Sequence, residues 1–262
     1  MPTAIAADKT QIHYRTVGEG PRTVVLVHGW MVSGAVWNDF IELVDTTGLK
    51  LVIPDLRGAG ATKSEQPASS YSLEQHARDV LAVVQHVGAE RFTLIGHSMG
   101  GQLAQWVASE VPSRVEGLLL LNSVPASGIP LPPEAVGLFR TSAGSREKQG
   151  AILGMACKQL PAASLERLLG DAAAVSEASI VGSFDAWTAG GMAERLARIA
   201  APTLVVSTDD PFLPPAFLRQ AVVQPIRGAR MVHLPGPGHY PQVERPHETA
   251  ALVGAFLAGS AR

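Results

Sequence analysis

The sequence predicts an α/β fold: a mostly parallel sheet with helices on both faces, interrupted by an all-helical insertion. Apolar runs of strand length alternate with segments whose apolar residues recur at helical spacing, the pattern of repeated strand-helix-strand units. Residues 23–27 form a short branched run without polar alternation, as a strand does when both its faces are covered. Between residues 125 and 200 the alternation stops. Pro125, Pro130, Pro132, Pro133 and Gly144 break the chain there, and only helical stretches follow.

Taken in order, residues 11–17 alternate as a half-exposed strand, and Gly18-Glu19-Gly20-Pro21 is a turn. The strand at 23–27 runs into His28-Gly29-Trp30, and residues 36–44 show helical spacing. The strand at 49–53 ends in Pro54-Asp55-Leu56-Arg57-Gly58-Ala59-Gly60, too glycine-rich to continue either element. Residues 73–87 place Leu73, Ala77, Val80, Leu81, Val84 and Val87 on one helical face, with Gly88 as the stop. A strand from Phe92 leads into Gly96-His97-Ser98-Met99-Gly100, a helix follows over 102–109, and residues 115–121 form another buried strand.

Within the insertion, helices are expected over 146–159 and 163–169. Its apolar residues Leu138, Phe139, Ile152, Leu153, Met155, Phe184 and Trp187 are candidates to line a pocket or to hold the insertion together. Strands resume at 203–206 and 229–234, with a helix over 214–223 between them and another over 247–257. Residues 1–124 and 201–262 are therefore assigned to a core and 125–200 to a helical cap.

Composition narrows the function. A formal charge of −2 gives no electrostatic case for nucleic acid or an anionic membrane as a partner. The single cysteine, Cys157, excludes an internal disulfide and a cysteine-based metal cluster, and it is expected to pack as a small apolar group. The first ten residues lack the basic start and apolar core of a signal peptide, so a cytoplasmic location is expected. No apolar run approaches the length of a membrane span. The oligomeric state is left open.

The chemistry centres on Gly96-x-Ser98-x-Gly100. A strand that turns sharply into a helix exposes a serine hydroxyl at its apex, and small residues on either side let the backbone fold that tightly. A serine needs a base to take its proton, and the base needs an acid to fix its tautomer. On a parallel sheet these groups gather at the carboxyl ends of the strands. His239, in the loop Gly236-Pro237-Gly238-His239-Tyr240-Pro241 after the last strand, is the candidate base. His28 is expected to brace its loop, and His97 to point away from the hydroxyl. The remaining histidines fall within predicted strands or helices, and no metal-ligand spacing occurs among them.

For the acid, Asp210 is preferred over its neighbour Asp209, with Asp55 and Asp185 as further carboxylates; Asn122, after the strand at 115–121, cannot become an anion. The backbone amides of Met99 and Trp30 are the candidate oxyanion donors. Phe139, Trp187 and Tyr240 are the candidate pocket residues.

His28-Gly29-Trp30, Asp55-Leu56-Arg57-Gly58, Gly96-His97-Ser98-Met99-Gly100-Gly101, the strand from Thr203 leading to Asp210, and Gly238-His239-Tyr240-Pro241 with Glu244-Arg245-Pro246 together resemble the alpha/beta-hydrolase family over most of the chain. That resemblance implies an eight-stranded, mostly parallel sheet, a lid after the sixth strand, and a Ser-His-Asp triad without a cofactor. Ala59, Thr62 and Ser207 depart from the common pattern, where relatives often carry His, Ser and Gly. Ser98 argues against the related dehalogenases and epoxide hydrolases, which use an aspartate at that position. The expected function is hydrolysis of a small to medium carboxylic ester or lactone, with a small molecule as partner. C–C bond hydrolysis, perhydrolysis and hydroxynitrile-lyase chemistry on the same residues are the enzymatic alternatives, and a ligand-binding receptor on the same fold is the non-catalytic one.

Overall fold

A computed structural model describes residues 1–259, so residues 260–262 of the expected core lie outside the described residues. The strands are β1 (Thr3–Ile5), β2 (Gln11–Val17), β3 (Arg22–Val27), β4 (Leu49–Pro54), β5 (Phe92–His97), β6 (Val115–Leu121), β7 (Thr203–Thr208) and β8 (Arg230–Leu234). They form one eight-stranded sheet in the spatial order β1-β2-β4-β3-β5-β6-β7-β8. β1 pairs with β2 and β2 with β4 antiparallel, whereas every pairing from β4 to β8 is parallel.

The central strands are buried because their sequences leave nothing to solvate. Val24 to Val27 of β3, Leu94 and Ile95 of β5, and Leu118 to Leu121 of β6 are each at most 1% exposed. β1 was not expected. It is three residues long, too short to show a period, and only Ala4 in it is buried.

The helices in chain order are α1 (Asn38–Ile41), α2 (Leu73–His86), α3 (Met99–Glu110), α4 (Pro133–Arg140), α5 (Arg146–Ala156), α6 (Ala162–Ala173), α7 (Glu177–Ala189), α8 (Pro215–Leu218), α9 (Pro241–Glu244) and α10 (Pro246–Gly259). α2 starts where the Ser72 hydroxyl accepts the amide of Gln75, and stops before Gly88 at φ 72°. Its buried face uses Val83 rather than Leu81, which is half-buried.

The single helix expected over 36–44 is divided. A 3₁₀ turn (Gly34–Trp37) precedes α1, and the amides of Leu43 and Val44 then bond to the carbonyls of Phe40 and Ile41, tightening the exit. The helix expected over 146–159 ends at Ala156, because the amides of Lys158 and Gln159 leave the helical ladder to bond the Glu244 carboxylate. The helix expected over 214–223 becomes α8 followed by a wider π turn (Arg219–Val223).

α4 to α7 fill the interval between β6 and β7, where no strand was expected. α2 and α3 pack together, and so do α1 and α10. Among the described residues no helix is long and apolar enough to cross a membrane.

Candidate active site

Ser98 occupies the turn between β5 and α3 with φ 55° and ψ −123°, a conformation an ordinary residue adopts only under constraint. The neighbouring glycines supply that constraint. A Cβ on Gly100 would lie 2.2 Å from the Val27 carbonyl oxygen and 2.4 Å from that of His28, and one on Gly96 would lie 2.4 Å from the Gly100 oxygen. The two arms of the turn therefore pack backbone against backbone, and α3 begins directly at Met99.

His239 reaches this turn from the loop after β8. The Ser98 hydroxyl donates to its Nε2 at 2.8 Å, and its Nδ1–H donates to Asp210 Oδ2 at 2.5 Å. Asp210 is 2% exposed, and its other oxygen accepts the amide of Phe212 at 2.8 Å. The structure thus brings Ser98, His239 and Asp210 into one hydrogen-bonded chain.

Asp209 faces elsewhere. Its Oδ2 accepts the amide of Gly236, and its Oδ1 lies 3.4 Å from His233 Nε2. Asp55 accepts the amides of Gly34 and Ala61, while Asp185 pairs with Arg140. None of these three carboxylates joins the chain.

The backbone of His239 is held as firmly as its side chain. Its carbonyl accepts His97 Nε2–H at 2.8 Å and Asn122 Nδ2–H at 3.1 Å, and Asn122 also donates to Thr208 Oγ1 and the Gly238 carbonyl. The residue before Ser98 and the residue after β6 therefore converge on the loop that carries the imidazole. His97 turns to that carbonyl, with its ring centroid 5.0 Å from that of His239.

Burial, followed by the nearness of His239, holds His97 well below the ordinary imidazole pKa, so it stays a neutral donor. His28 accepts the amide of Leu56 and is likewise lowered by burial. Cys157 is a half-buried free thiol, and burial pushes it upward, away from a reactive thiolate.

Met99 opens α3, so its amide is among the donors without an intrahelical partner. Trp30 follows Gly29, at which an added Cβ would come 3.1 Å from the Ser98 Cβ. The Trp30 loop thus runs beside Ser98. Its indole N–H donates to the Ile180 carbonyl on α7 at 2.9 Å, and the amide of Ser33 donates to Asp171 on α6 at 2.5 Å.

A mainly apolar pocket of about 50 Å³ opens on Ser98 and His239. Phe139, Trp187 and Tyr240 line it, together with Trp30, Ile152 and Phe212. Trp30 stacks on Phe139 at 5.3 Å with rings 12° apart, and Phe184 packs edge-on behind Trp187. Leu153 is buried away from the pocket lining, and Met155 turns outward at 44% exposed. Burial keeps the Tyr240 phenol neutral by raising its pKa.

Phe212 was missed by the sequence reading, although its place two residues beyond Asp210 in the acid loop was the available signal. Ala156, Leu131 and Ile129 also line the pocket, and nothing in their spacing marks them. Among the described residues no group of three or more His, Cys, Asp or Glu side chains is arranged to hold a metal ion.

Comparison with known proteins agrees with this architecture. A family model described as the alpha/beta hydrolase family matches residues 24–252. A non-heme haloperoxidase of Rhodococcus erythropolis is 27% identical over 265 residues, spanning 91% of this chain and 93% of the relative. The structure of Est816, described as an N-acyl homoserine lactone degrading enzyme, is similar at a TM-score of 0.80 and 30% identity, over 97% of this chain and all of that one. An esterase of Exiguobacterium antarcticum reaches a TM-score of 0.90 at 19% identity, over 98% of both chains, a likeness of fold. With the sheet order, the turn at Ser98 and a family model spanning most of its length in agreement, the chain belongs to the alpha/beta hydrolase family.

Proposed function

We propose that the protein is a serine hydrolase that cleaves a small to medium carboxylic ester or lactone through an acyl-enzyme on Ser98. The observation that carries this reading is the unbroken hydrogen-bonded chain from Ser98 through His239 to buried Asp210, facing a mainly apolar pocket. In this reading His239 Nε2 takes the Ser98 proton as Oγ attacks the substrate carbonyl carbon. Asp210 fixes the Nδ1–H tautomer and stabilises the imidazolium that forms.

The amides of Met99 and Trp30 then bind the oxyanion, with the N terminus of α3 adding a favourable dipole. Collapse of the tetrahedral intermediate expels the alcohol, which takes its proton from His239. In a lactone the alcohol stays attached to the acyl group. Water, deprotonated by His239, then releases the acid and restores Ser98. Residues 125–200 act as the cap: α4, α5 and α7 supply Phe139, Ile152 and Trp187 to the pocket. Its volume of about 50 Å³ favours a short acyl group.

The test is turnover of p-nitrophenyl esters of graded length by wild type and Ser98→Ala. Wild type is expected to cleave the acetate and butyrate faster than the decanoate. Ser98→Ala is expected to lose about 10³-fold or more in kcat. Unchanged turnover in that variant would overturn the assignment.

A further inference from the structure

Glu244 is a buried carboxylate, 7% exposed, that the proposed chemistry does not use. Its Oε2 accepts the amides of Gly238 at 2.9 Å, Lys158 at 2.8 Å and Gln159 at 2.8 Å, and its Oε1 accepts the amide of Tyr240 at 3.1 Å. Two of these donors flank His239, and the other two follow α5 directly. One side chain therefore ties the loop of the candidate base to the end of a helix in the insertion.

A direct backbone bond reinforces that tie. The His239 amide donates to the Ala156 carbonyl at 2.9 Å, and a Cβ on Gly238 would lie 2.3 Å from the same oxygen. α5 also lines the pocket, through Ile152 and Ala156. Pocket wall and base loop are thus joined at one point.

A carboxylate suits four converging N–H groups. It offers two acceptor oxygens and no donor, whereas a glutamine would turn its NH₂ toward some of the same amides. Chain geometry gives the joint its consequence. Asp210 and Ser98 hold the imidazole at its two nitrogens, but the loop bearing it has to be set independently for both bonds to form together.

We propose that Glu244 is a positioning residue for the reaction: it locks the His239 loop to the pocket wall on α5 and so keeps the imidazole in register with Ser98 and the bound acyl group. This rests on the reading of Ser98 and His239 as nucleophile and base.

The experiment compares wild type with Glu244→Gln, which is nearly isosteric. It measures kcat and KM for p-nitrophenyl acetate, the second-order rate of fluorophosphonate labelling at Ser98, and hydrogen exchange in the peptides covering residues 156–160 and 236–241. Rates are normalised to folded protein by circular dichroism. A displaced base predicts a fall in kcat of about 100-fold with little change in KM. Labelling should slow in parallel, and exchange should quicken in both peptides. Mere loss of folded protein would leave the normalised rates unchanged.

If Glu244→Gln does not fold, Lys158→Pro removes one donor from the α5 side. The preceding Cys157 is already extended at φ −98° and ψ 149°, as a following proline requires. Its expected cost in kcat is about tenfold, the equivalent of one hydrogen bond. Wild-type labelling with kinetics unchanged in the folded variant overturns the positioning role alone. A wild-type protein that neither cleaves esters nor labels at Ser98 overturns the hydrolase reading together with it.

Discussion

Asp209 and Asp210 are adjacent carboxylates with opposite surroundings. The first is half exposed at its side chain, 41%, and bonds a loop amide, while the second is buried with one oxygen on His239 and the other on the Phe212 amide. In the proposed mechanism only the second fixes the imidazole tautomer. Asp210→Asn should therefore lower kcat by about 10⁴-fold, whereas Asp209→Asn should stay close to wild type. Steady-state kinetics on one short ester decides it: equal losses in both variants would sink the assignment. The sequence preferred Asp210 without a geometric reason, since both residues follow the same strand. The reason is where each side chain points as the loop leaves β7, and that is set by contacts with residues 236–239 far along the chain.

At the scale of elements, the turn from β5 to α3 depends on space that only glycine leaves. In Gly100→Ala the added methyl meets the Val27 and His28 carbonyl oxygens at 2.2 and 2.4 Å, and neither can retreat without disturbing β3. The substitution should cost about 1–3 kcal/mol or more, lowering the melting midpoint by several degrees in a thermal scan. A melting curve superimposable on wild type would show that the turn has slack.

Elements of this kind were legible because their residues carry the constraint themselves. β6 was expected over 115–121 and is found there, as its leucines leave no polar face to dispute the register. α7 was not legible. Its buried positions include Ser179, Gly182 and Ser183 beside Phe184 and Trp187, so apolar periodicity is lost where small residues pack tightly. A Cβ on Gly182, for instance, would lie 2.1 Å from the Ala68 carbonyl oxygen. The end of α5 was illegible for a different reason, because the group that stops it is Glu244, distant in sequence.

For the whole molecule, three buried histidines tie stability to pH. His28, His76 and His97 are each at most 1% exposed, and burial lowers all three below the ordinary imidazole value. His76 is held at about 3, by burial first and then by the positive charge of Arg57. The folded state keeps these rings neutral while the unfolded chain protonates them near pH 6.5. Their stabilisation is therefore present above that pH and is lost as pH falls toward the folded values. A ring that is protonated in the unfolded chain and neutral in the folded one contributes a slope of at most about 1.4 kcal/mol per pH unit. Urea midpoints should fall between pH 7 and pH 5, before most carboxylates titrate. His76→Gln should flatten that dependence, and an unchanged slope would remove His76 from the account.

The anchoring of the site outside the sheet has one more consequence. The loop of Trp30 hangs from α6 and α7 through Asp171 and Ile180, and the loop of His239 hangs from α5 through Ala156 and Glu244. Under the proposed function, residues 125–200 are thus a scaffold for the reacting groups as well as a selector of substrates. If Ser98 and His239 react as proposed, grafting that segment from a relative is expected to change kcat along with substrate preference, and steady-state kinetics on a chimera checks it.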